Sequence, residues 1–154
     1  MAYFPPLTSN PNASADPSAR QYEMGPWYES ATTFTTSSSP PTLGNGTCLA
    51  RFRRQGSTIY YQQQLTIGST TTVGTGIVRL HLPFGMTYGS MQQVGSAFWF
   101  DASTGIITRG VCIAEGATTY AYSVLGDGVT PSDSSGLANG DLIRHSGTFE
   151  IDTV

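Results

Sequence analysis

From Gly25 onward the chain alternates apolar and polar residues with a period of two, broken every eight to twelve positions or so by Gly, Pro, Asn or Thr clusters. A period of two puts successive side chains on opposite faces of an extended strand, so this pattern excludes a helical fold. In "GTCLARFRR", Cys48, Ala50 and Phe52 fall on one side and Leu49, Arg51 and Arg53 on the other. In "STIYYQQQLTIG", Ile59, Tyr61, Leu65 and Ile67 share the core face, while Tyr60, Gln62, Gln64 and Thr66 share the opposite one. "IVRLHLP" sets Val78, Leu80 and Leu82 against Ile77, Arg79 and His81, and Pro83 ends the strand. "SAFWFD" and "IITRGVCIAE" are joined by "DASTG", a short Gly-containing connection of hairpin length. The segments "TTYAYSVLG" and "LIRHSGTFEIDTV" complete about eight strands, the last with Phe149 and Ile151 inward. The expected fold is all-β: an antiparallel two-sheet β-sandwich of the jelly-roll type over residues 26–154.

Residues 1–25 differ in kind. Pro5, Pro6, Pro11 and Pro17 fix φ and remove backbone donors, so this stretch cannot be a core strand. It reads as an extended N-terminal arm, with a short helix possible after Asp16 and with Tyr3, Phe4, Leu7, Tyr22 and Met24 as apolar anchors for a partner surface.

Charge narrows the function. Charged residues are 11% of the chain, against about 25% in an average soluble protein. The net charge is -3 and every basic residue is Arg. The only basic cluster, Arg51, Arg53 and Arg54, is too small for the phosphate neutralisation that nucleic-acid binding requires, so no nucleic-acid partner is expected. With no Lys, Schiff-base chemistry and isopeptide cross-linking are excluded. No apolar run reaches the about 20 residues of a membrane helix, and the N-terminus lacks the basic-then-apolar layout of a secretory signal. Synthesis in a cytoplasm is expected, with no membrane partner.

No constellation for catalysis is visible. His81 and His145 are the only imidazoles, both read as facing away from the core, and no ligand spacing joins them to Asp101, Asp141 or the cysteines. Glu115, Asp101 and Asp127 sit at strand ends or turns, and no strained nucleophile turn occurs. We therefore expect no catalytic residue, no cofactor and no metal. Cys48 and Cys112 each lie in an apolar run and read as buried thiols, although pairing is geometrically open if their strands are neighbours. Trp99 alternates with Phe98 and Phe100 and must face away from both.

The run "PPTLGNGTCLARFRRQGSTIYYQQQLTIGSTTTVGTGIVRLHLPF", with "ANGDLIRHSGTFEI" downstream, resembles a module of structural proteins from phages of actinobacteria and related hosts, described as minor tail or head-associated proteins. That resemblance implies a β-sandwich, self-assembly as a homotrimer, attachment to a virion and no chemistry. Joined to the arm-plus-domain layout, it gives the expectation of a capsid decoration protein on the head of a tailed bacteriophage. The arm would contact the major capsid protein, and Tyr60, Gln62 and Gln64 would form the self-association face, being large neutral groups that desolvate cheaply. The alternative is a minor tail, receptor-binding module that stacks host-surface glycan on Trp99, Tyr120 or Tyr122.

Overall fold

The computed structural model describes residues 26–56, 58–82, 93–114, 118–126, 130–131 and 134–150. The arm anchors Tyr3, Phe4, Leu7, Tyr22 and Met24, together with Glu115, Asp127 and Ile151, lie outside the described residues. Ten strands are formed: β1 (Tyr28–Ala31), β2 (Phe34–Thr36), β3 (Thr47–Gln55), β4 (Thr58–Thr66), β5 (Val78–His81), β6 (Gln93–Asp101), β7 (Ile106–Ile113), β8 (Tyr120–Leu125), β9 (Thr130–Pro131) and β10 (Leu142–Glu150). All pairings are antiparallel, and they run in the order β1-β3-β4-β10-β6-β7-β8-β5-β2, with β9 added on β8.

The all-β antiparallel class is as the alternation requires. The division into two sheets is not: the hydrogen-bond ladder is continuous, and the sheet is one strongly curled surface. The physical reason lies in the ends of the path, β1 and β2, which are consecutive in sequence. Residues 28–36 therefore run along both edges. Thr32 N–H donates to the Cys48 carbonyl at 3.0 Å, and one residue later the Thr33 carbonyl accepts from His81 N–H at 3.0 Å. The chain changes neighbours between Thr32 and Thr33, so two edges that would otherwise expose unpaired backbone are tied together.

The alternation fills the inside of the curl. One apolar cluster holds Phe52, Ile59, Tyr61, Leu82, Cys112, Ala121 and Phe149; a second holds Phe34, Cys48, Leu65, Ile67, Val78, Leu80 and Ile143, with Trp99 and Leu137 against it. Cys48 and Cys112 are free, buried thiols in different clusters, and burial pushes each up to about 12.

Between the clusters runs a row of cross-strand partners, Ala50, Gln63, His145, Ala97 and Gly110, on β3, β4, β10, β6 and β7. Gln63 and His145 are only 2% and 1% exposed. This corrects the outward placement of His145: its strand alternates Ile143, His145 into the interior, and burial follows the backbone period, not the polarity of the side chain. The alanines and Gly110 leave the width that a glutamine and an imidazole need. Gln63 Nε2 donates to the His81 carbonyl at 2.6 Å, and His145 Nε2 pairs with Ser123 Oγ at 2.6 Å. Half-buried His81 does face outward, held by Thr35 Oγ1 at 2.9 Å and Thr119 Oγ1 at 3.3 Å.

The LGNG and GSTTT segments prove to be one unit. Asn45 Oδ1 accepts from Thr70 N–H and Oγ1–H, both at 2.9 Å; Asn45 Nδ2 donates to Ser69 Oγ at 3.1 Å; and Thr71 Oγ1 donates to the Leu43 carbonyl at 2.6 Å. Gly44 is left-handed (φ 58°), and a Cβ there would strike the Thr70 carbonyl. Gly56, in the β3–β4 turn, has nearly the same φ (59°) but open space around it.

Substituting these two glycines separates strain from collision. Gly56→Ala is expected to cost about 1 kcal/mol, the left-handed penalty alone. Gly44→Ala should cost about 2–3 kcal/mol because the turn must also move off Thr70. Urea unfolding of both variants measures this, and equal losses would refute the interlocked turn.

Candidate functional site

The interior of the curl is packed, so any site lies on the outside. Outward residues of β1 and of the five strands that follow it in the sheet form two rows. One reads Glu29, Arg51, Gln62, Ser146, Ser96 and Val111 across β1, β3, β4, β10, β6 and β7; the other reads Leu49, Gln64, Arg144, Phe98 and Arg109 from β3 to β7. Apart from Val111, the residues of both rows line a groove of about 880 Å³, together with Ile107 of β7.

The groove is ordered by amides and rings. Arg51 Nε–H donates to Gln62 Oε1 at 2.7 Å, and Arg144 Nε–H donates to Gln64 Oε1 at 2.6 Å. Gln64 is itself anchored through Nε2 to Thr66 Oγ1 at 3.1 Å. The Arg144 guanidinium lies 5.5 Å from the centre of the Phe98 ring, and that of Arg51 lies 5.1 Å from the Trp27 ring. Arg53 takes the same ring at 4.7 Å and Tyr60 at 5.3 Å, giving an alternating arginine and aromatic stack at one end of the face.

Of the expected self-association residues, Gln62 and Gln64 line the groove. Tyr60 faces the same way but sits beyond it, under Arg53. Sequence reasoning missed Arg109, Arg144, Phe98, Leu49 and Ile107 as members of the site. Each could be placed outward from alternation, but their convergence depends on β10 lying between β4 and β6, which no local signal gives. Leu49 and Ile107 are 53% and 55% exposed. Ile107 is open because β8 pairs β7 only from Gly110 onward, leaving Ile106–Thr108 without a second strand among the described ones.

The other candidate residues do not converge. Trp99 points inward and packs on the second cluster, whereas Tyr120 and Tyr122 point outward from β8, with Arg79 4.6 Å from the Tyr120 ring centre. The three aromatics therefore share no cleft. Asp101 closes the β6–β7 hairpin by accepting from Ser103 N–H, Ser103 Oγ–H and Thr104 N–H, bonds that hold its carboxyl below the usual range. Buried Asp141 accepts from Ala102 N–H and Ala138 N–H, both at 2.9 Å, pinning the loop before β10. Among the described residues no group of three His, Cys, Asp or Glu is placed to hold a metal ion. No family model, curated protein or solved structure matches the chain.

His145 gives the fold a pH dependence. Burial holds the ring at about 3, against 6.5 when unfolded. Between those values the unfolded chain binds a proton that the folded one does not, so stability falls as pH drops below 6.5 and levels off near 3. The contribution is about 2 kcal/mol lost at pH 5 relative to pH 8. His81 is also lowered, by burial and then by Arg79, and acts in the same direction. Chemical denaturation across this range should show a shallower pH slope for His145→Gln than for the wild type; identical slopes would exclude His145 as the cause.

Proposed function

We propose that this protein is a structural component of a tailed-bacteriophage particle, made in the host cytoplasm and mounted on the capsid as a decoration protein. In this reading it works by surface contact alone and is not an enzyme. The single observation that carries it is the outer groove, where exposed Leu49 and Ile107 flank a neutral amide and arginine face that no described part of the chain covers. Exposed aliphatic side chains together with Gln and Arg are what contact surfaces favour over wet ones. The resemblance of the LGNG, GSTTT and SGTFE segments to virion structural modules supplies the setting.

The N-terminal arm is the tether to the major capsid protein, and the self-association face expected at Tyr60, Gln62 and Gln64 narrows to its Tyr60 end, beyond the groove, where neighbouring subunits meet in a homotrimer. The curled sheet is then the two-sheet sandwich of such modules with its corners kept hydrogen-bonded. A glycan-binding tail module is the weaker reading, since Trp99 does not share a face with Tyr120 and Tyr122.

Two measurements test the proposal. Stained gels of purified particles should show this chain in hundreds of copies relative to the major capsid protein; a few copies per particle would favour the tail. Removing the residues before Gly25 should abolish binding to undecorated particles while leaving the circular dichroism of the domain unchanged. Retained binding would sink the tether.

A further inference from the structure

The chemistry of the groove points beyond a generic contact, and it deepens the reading above by naming what the partner must carry. The chain as a whole is acidic, at -3, yet three of its seven basic residues, Arg51, Arg109 and Arg144, line this one groove against a single acid, Glu29. Glu29 is the register partner of Arg51 but makes no ion pair with it, and none of the three arginines has a carboxylate within salt-bridge distance among the described residues. Two of them are already oriented. Gln62 and Gln64 take the Nε–H of Arg51 and Arg144, and the guanidinium carbons lie 5.1 Å and 5.5 Å from the Trp27 and Phe98 ring centres, so each side chain is held at two points while its terminal Nη groups carry no hydrogen bond among the described residues. A guanidinium fixed in that way is prepared for bidentate capture of a carboxylate, with little side-chain entropy left to lose.

The walls decide what bears the carboxylates. Leu49 and Ile107, at opposite ends of the groove, are aliphatic and more than half exposed, so the occupant carries aliphatic side chains as well as acids. A polyphosphate offers none, and neither does a uronic-acid glycan. From Leu49 on β3 to Arg109 on β7 the row crosses four strand spacings, about 19 Å, which is the length of about six residues of extended chain.

We propose that the groove is a receptor for an extended peptide segment of a partner protein in which every second residue faces the sheet, with acids at the middle of that set and an aliphatic residue at each end of it. The acids fork onto Arg51, Arg144 and Arg109, and the aliphatic side chains at the two ends cover Leu49 and Ile107.

The test uses the full-length chain and a labelled nonapeptide Leu-Ser-Glu-Ser-Glu-Ser-Glu-Ser-Leu, the Glu-Leu peptide, followed by fluorescence anisotropy, with the same peptide carrying Gln (Gln-Leu) or Lys (Lys-Leu) in place of Glu and an oligogalacturonate as comparisons. The Glu-Leu peptide should bind and weaken as salt is raised. Its affinity should drop by about tenfold or more in Arg144→Gln and in Arg109→Gln, and stay unchanged in Arg54→Gln, which lies outside the groove. Ile107→Ser, at an exposed position, should weaken it as well and provides a second route should an arginine variant unfold. Equal binding of the Gln-Leu peptide, or full retention in the arginine variants, overturns the proposal. Oligogalacturonate binding as tightly as the peptide replaces the protein partner with an acidic glycan. High copy number on particles without peptide binding would sink this inference alone, whereas peptide binding by a chain present in few copies would sink the decoration reading alone.

Discussion

The fold depends on one carbonyl and the stretch of chain that reaches it. The His81 carbonyl accepts from Thr32 Oγ1 at 2.5 Å and from Gln63 Nε2 at 2.6 Å. Thr32 is the point at which residues 28–36 leave β3 for β5, and Gln63 reaches across the interior from β4. This carbonyl thus joins both edges of the sheet to its middle. An unsatisfied amide or carbonyl buried there would cost about 1–3 kcal/mol, so the curl is held by a requirement for pairing and not only by apolar burial. Open edges would also invite pairing with other chains.

The degree of curl is set by glycine at close approaches. A Cβ on Gly95 would meet the Ser146 carbonyl, and one on Gly110 would meet that of Val124. The register of β6 against β7 shifts between Gln93 and Gly95. Bulges and strand glycines are where a sheet bends sharply. Ser146, which Gly95 approaches, and Gly110 itself both line the groove, so these close backbone approaches of the fold lie in the wall of the site.

How much of this was legible in the sequence varied with the range of the interaction involved. The faces of β3 and β4 followed from alternation, because a strand's own period decides them. The middle glutamine of the QQQ run, Gln63, was not placed inward, since the two apolar positions on either side of it defined the core face without it. His145 was placed outward because polarity was allowed to outweigh the period, although Ile143 two residues earlier marks the inward face. The strand order lay beyond reach for a different reason. Nothing local in LIRHSGTFE says that β10 enters between β4 and β6, and the choice between two sheets and one curled sheet turns on that placement. The groove inherits the difficulty: Arg51 and Gln62 pair across the single β3–β4 turn, whereas Arg144 and Arg109 join them only through β10 and β6.

The way the arginines are held bears on why a surface so poor in charge carries them at all. Arg51 and Arg53 lie against Trp27, Arg79 against Tyr120 and Arg144 against Phe98. An arginine fixed by an acid on its own chain has spent its in-plane donors, and a partner must break that pair before using it. Stacking on a ring occupies the guanidinium face and leaves the in-plane N–H groups for a second contact. In Arg51 and Arg144, whose Nε–H groups go to Gln62 and Gln64, the rings help to order the side chain without using its terminal Nη donors; in Arg53 and Arg79 the Nε itself is buried. With charged residues only 11% of the chain, few acids are at hand to compete for these donors, and Glu29 is the one acid that lines the groove with Arg51, Arg109 and Arg144.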